Sequence, residues 1–96
     1  MIIGVLKFTL HTPEARSLKD RRQATKGLLK QLARSFPAAV AEVEPSDLWQ
    51  LTRVAAAVIG PDGRQADAIM QKMITFVEDH STEVVMSDVS TQLVSV

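Results

Sequence analysis

Six blocks of patterned hydrophobicity run along the chain. Residues 2–10 (IIGVLKFTL) are rich in β-branched and aromatic side chains. From Leu6 onward they alternate, with Leu6, Phe8 and Leu10 on one side and Lys7 and Thr9 on the other. This predicts a first strand, ended by His11-Thr12-Pro13. Ser17 reads as a helix N-cap, with Asp20 completing a shortened capping box. The helix is expected to run to about Phe36, where Pro37 stops it. On a helical projection Leu18, Thr25, Leu28, Leu29, Leu32 and Phe36 share one arc. Lys19, Arg22, Lys26, Lys30 and Arg34 share the opposite arc. Arg21 breaks the pattern by projecting onto the apolar side. From the first turn its long stem could reach past the core edge to an acid at a strand end, Asp47 or Glu42.

Residues 38–44 (AAVAEVE) predict a second strand, Pro45-Ser46-Asp47 a turn, and residues 48–59 (LWQLTRVAAAVI) a third strand. Gly60-Pro61-Asp62-Gly63 is a turn signal, and Asp62 with Gln65 makes a second capping box. The second helix is expected to bury Ala66, Ile69, Met70, Met73, Ile74 and Val77 and to close at His80, where the helix dipole favours a cation. Residues 83–95 predict a last strand with Val85, Val89 and Leu93 on one face. The order βαββαβ is satisfied by two split βαβ units in a four-stranded antiparallel sheet with both helices on one face. Right-handed crossovers place strands 1 and 3 in the centre. The expectation is a single ferredoxin-like α+β domain over residues 1–96.

Composition narrows the chemistry. The chain is 46% hydrophobic and 23% charged, which argues against disorder. It has no cysteine, so disulfides, thiol nucleophiles and thiolate metal sites are excluded. No apolar run approaches the ~20 residues of a membrane span, and no secretory leader pattern is visible, which predicts a cytoplasmic protein. His11, Glu14 and Ser17 lie close in sequence, but a cap explains Ser17, a loop acid Glu14 and a strand end His11. His11 and His80 lack ligand spacing, and the four glycines are too scattered for a phosphate loop. No catalytic residue, metal, cofactor or small-molecule substrate is expected.

The net charge of zero hides a separation. Residues 16–36 carry seven cations against Asp20 alone, a net of +6, while residues 37–96 carry three cations against nine acids, a net of −6. Such a field steers partners even on a neutral molecule.

Three stretches carry a resemblance. They are His11-Thr12-Pro13-Glu14-Ala15-Arg16-Ser17-Leu18-Lys19-Asp20-Arg21-Arg22, then Val40-Ala41-Glu42-Val43 with Asp47-Leu48-Trp49-Gln50, and the opening Ile2-Ile3-Gly4-Val5-Leu6. Over nearly its whole length the chain resembles the YlxP-like family, the domain of unknown function 503. It departs from that pattern at Pro37-Ala38-Ala39 and at Gly60-Pro61-Asp62-Gly63, both loop positions. The resemblance implies a ferredoxin-like fold and no established activity. The family's genes often neighbour those of translation initiation factor two and a ribosome-binding factor, which implies a role in translation or ribosome assembly.

Two surfaces could meet partners. Two helices cover only one face of a four-stranded sheet, yet the central strands read apolar on both faces, with Ile3, Val5, Ala55 and Ala57 expected on the open one. This predicts self-association, by default a two-fold dimer, through the open face or an edge. Arg53-Val54-Ala55-Ala56-Ala57-Val58 lacks the aromatics with which RNA-recognition motifs stack bases, and Phe8 belongs to the inward set, so RNA reading by the sheet face is not expected. Trp49 is expected to be a core or interface anchor. Arg16, Lys19, Arg22, Lys26, Lys30 and Arg34 line the first helix in the manner of phosphate contacts. The reading is a non-catalytic module docking on structured, ribosomal RNA. The alternative is a homo-oligomeric adaptor for an acidic protein.

Overall fold

A computed structural model describes residues 1–44, 50–80 and 84–96. The elements are β1 (Ile2–His11), α1 (Leu18–Ser35), β2 (Ala38–Glu44), β3 (Leu51–Gly60), α2 (Gly63–His80) and β4 (Val85–Ser95). They form one four-stranded antiparallel sheet in the order β2-β3-β1-β4. This is the ferredoxin-like α+β arrangement, with β1 and β3 central. The expected turn at Pro45-Ser46-Asp47, the start of the third strand at Leu48 and Trp49, the role of Trp49 and the start of the fourth strand at Glu83 lie outside the described residues.

Alternation divides the central strands between two environments. Leu6, Phe8 and Leu10 of β1 and Val54, Ala56 and Val58 of β3 are buried, and they form one core with Leu28 and Leu32 of α1 and Met70, Met73 and Val77 of α2. Both helices therefore cover the same face. Gly4 lets α2 come close to β1: a Cβ there would stand 2.9 Å from Met70 Cε. Phe76 joins the helix layer together, meeting the Phe36 ring edge-on at 5.6 Å and stacking with His80 at 5.3 Å. Asp62 caps the second helix as expected, its Oδ1 accepting from the Gln65 N–H at 2.9 Å.

One expectation about β4 fails. Val85 pairs with His11 and so lies on the open face, whereas Leu93 pairs with Gly4 and lies on the helix side. The cause is a bulge: the β1–β4 register shifts between Lys7 and Thr9, and Asp88 takes a left-handed φ of 52°. One extra residue in β4 reverses the alternation. Met86, paired with Leu10, takes the inward position upstream of the bulge and packs against the core.

Candidate nucleic-acid interface

The basic helix is set in place by its first turn. Ser17, in extended conformation, caps α1 by accepting from the Asp20 N–H at 3.1 Å. The Asp20 carboxylate in turn accepts the Arg16 N–H at 3.0 Å, so the acid among these cations is spent on the backbone. The loop ahead of the cap is held from across the sheet. Gln50 Nε2 donates to Pro13 O at 3.2 Å and Ala15 O at 3.4 Å, and Thr12 N–H donates to Gln50 O at 2.8 Å. The two longest stretches of the resemblance are thus in contact. Gln50 had no visible partner in the sequence, because its amide serves carbonyls some 35 residues away.

Arg21 does what its odd position foretold. It is 4% exposed. Its Nη1 donates to Leu51 O at 2.8 Å, and its Nη2 lies 3.5 Å from Glu42 Oε1. Thr25 Oγ1 donates back to Arg21 O at 2.9 Å. One side chain therefore bolts α1 to both β2 and β3 and compensates Glu42. Asp47, the other candidate partner, lies outside the described residues.

Arg16, Lys19, Arg22, Lys26, Lys30 and Arg34 are all exposed. Thr25, Leu28 and Leu32 on the opposite arc are buried, so Lys19, Arg22, Lys26, Lys30 and Arg34 project away from the core. Arg22, Lys26 and Lys30 also line a groove of about 380 Å³ between α1 and β2, floored by Thr25, Leu29, Ala33 and Val40 and flanked by Glu42. Because β2 is an edge strand, this groove lies at the rim of the sheet. Lys19, Arg34 and Arg16 continue the positive surface beyond the groove.

The four residues expected on the open face share it. Val5 pairs with Ala57, Lys7 with Ala55, and Ile3 with Ile59 on one side and Val94 on the other. Ile3, Val5 and Ala55 are half-buried, and Ala57 is exposed. More apolar surface is exposed at Ile59, 66% on this same face, and at Leu93, 48% but on the helix side of the sheet. At the other end of the open face His11 Nε2 and Ser87 Oγ are 2.7 Å apart, a hydrogen bond joining β1 to β4. Among the described residues, no three histidine or acidic side chains gather where they could hold a metal ion, and no helix is long and apolar enough to cross a membrane.

A βαββαβ sheet with its first helix capped at Ser17 and bolted through Arg21 meets a family resemblance that spans the whole domain. The profile of the family described as a protein of unknown function, DUF503, matches residues 3–91, and the chain belongs to that family. It is also similar to the uncharacterised protein YlxP of Bacillus subtilis (strain 168), at 26% identity over 77 residues, covering 80% of this chain and 84% of that protein.

Proposed function

We propose that this chain is a non-catalytic binding module that docks on structured RNA, ribosomal RNA first of all, through the basic face of α1. The observation that carries the reading is the row Lys19, Arg22, Lys26, Lys30 and Arg34, exposed along one arc, with Asp20 and Glu42 already engaged by the chain itself. At 1.5 Å per residue the row is about 22 Å long. Flexible cations along a rigid rod neutralise phosphates without reading sequence, and each phosphate contact adds to the salt dependence of binding. The sheet and the Arg21 bolt hold the rod still, so little ordering entropy is lost on docking. The gene context implied by the resemblance supports translation or ribosome assembly as the setting.

An acidic protein partner is the second reading. The apolar floor of the α1–β2 groove favours it, since an extended acidic segment could lie along the β2 edge beneath Lys26 and Lys30.

The test is co-sedimentation with ribosomal subunits at low and moderate salt, comparing wild type with Lys26→Glu/Lys30→Glu. Both positions are exposed, so the variant should keep its fold, which circular dichroism checks. Wild type should travel with the small subunit, the variant should be lost from it, and nuclease should release the bound protein. If wild type stays at the top of the gradient at low salt, ribosomal docking is wrong. If it pellets but survives nuclease, the acidic-protein reading replaces it.

A further inference from the structure

The edge of the sheet farthest from the basic helix is built to be covered. β4 pairs with β1 on one side and ends the sheet on the other. Edge strands of monomers usually carry a lysine, a proline, a bulge or a short length that prevents another strand from adding. In β4 such devices sit upstream, at Asp88 and its bulge. Residues 89–96 (VSTQLVSV) contain no charge and no proline, and every one of them is exposed.

The direction of the free backbone groups follows from the end of the ladder. The Met1 amine donates to Val96 O at 3.3 Å, and Val96 N–H donates to Met1 O at 3.0 Å. By antiparallel alternation Val94, Gln92 and Ser90 also turn their peptide groups toward β1. Ser95, Leu93, Thr91 and Val89 turn theirs outward, where among the described residues β4 has no neighbouring strand.

We propose that a second copy of this chain covers this edge, the two β4 strands pairing antiparallel about a two-fold axis at Gln92. That register sets Val89 opposite Ser95 of the second copy and Thr91 opposite its Leu93, so all four outward residues find partners. Residues directly opposite share a face, as a sheet requires. The exposed Leu93 then lies beside Thr91 of the second copy, over the helix side. The uncharged segment 89–96 has nothing to repel its own image and nothing to select an oppositely charged partner, which favours self-pairing over a foreign strand. The result is a closed pair with one eight-stranded sheet. Its two remaining edges are β2 strands flanked by basic helices, which repel further copies. This surface is separate from the α1 face, so the two proposals stand or fall apart.

Sedimentation equilibrium of the full chain over micromolar to several hundred micromolar concentrations should give twice the 10.5 kDa chain mass. Thr91→Pro removes an outward N–H and leaves the β1 ladder whole, so it should yield the single-chain mass with an unchanged circular dichroism spectrum. Gln92→Lys places two ammonium groups side by side at the axis. It should weaken association at low salt and recover it at high salt, a response that a folding defect would not show. The proposal is overturned if wild type keeps the single-chain mass throughout, or if mass grows without stopping at two. It also fails if Gln92→Lys dimerises as wild type does whatever the salt.

Discussion

Arg21 is the residue on which the position of the basic helix depends. Its guanidinium is buried between α1 and the sheet, and its charge is met by Leu51 O and the half-exposed Glu42. Arg21→Met keeps much of the packed stem but loses the charge-assisted bond, while the freed Glu42 can turn to water. We expect a loss of about 2 kcal/mol of stability, read as a lower urea midpoint at constant m-value. Binding to RNA at a temperature where the variant is folded should keep its salt slope, because Arg21 touches no phosphate. This residue was legible in the sequence because one cation stood alone on an apolar arc. Gln50 was not, since nothing local marks an amide whose acceptors lie across the sheet.

At the scale of elements, α1 was readable from end to end, because cap, arc and stop are local signals. Ser17, Asp20 and Pro37 sit within or beside the helix they delimit. Ser17→Ala should cost about 1 kcal/mol by leaving the Asp20 N–H without its acceptor. Ser17→Asp should restore most of it, both changes measured by thermal or chemical unfolding. The fourth strand was readable in extent but not in facing. Val85, Val89 and Leu93 recur at even spacing, which looks like one face of a regular strand. The bulge opposite Phe8 depends on pairing with β1, a contact more than seventy residues distant in the chain. Asp88 hints at it only because aspartate tolerates a left-handed backbone better than most residues.

For the whole molecule, connection order and handedness sufficed to place β1 and β3 in the centre, because few topologies satisfy two right-handed βαβ units. The charge separation in the sequence also survives folding. The exposed cations of residues 16–34 lie along α1 and the loop before it at one rim, and the uncharged residues 89–96 lie at the other. Pairing two such molecules along the neutral rim keeps both helix layers on the same side. The basic rods then lie roughly 30 Å apart, about six strand spacings. A paired molecule would grip an extended RNA surface at two points, and its affinity would exceed that of one rod without any new contact. Neither partner surface was fully legible, since exposure at Ile59 and Leu93 is a property of the assembled sheet.

The Asp88 bulge has a consequence for chain length. From Leu10 to Gly4, β1 advances six positions, while from Met86 to Leu93 β4 advances seven. The strand is thus one residue longer than its template, and the surplus is held at Asp88. Deleting Asp88 should leave Met86 against Leu10 and Leu93 against Gly4, with a regular ladder between them and a cooperative unfolding transition preserved. Deleting Val5 from β1 has no such slack to absorb it. That deletion should reverse the facing of half a central strand on both of its sides and abolish the transition. If both deletions unfold the protein equally, the extra residue is not spare.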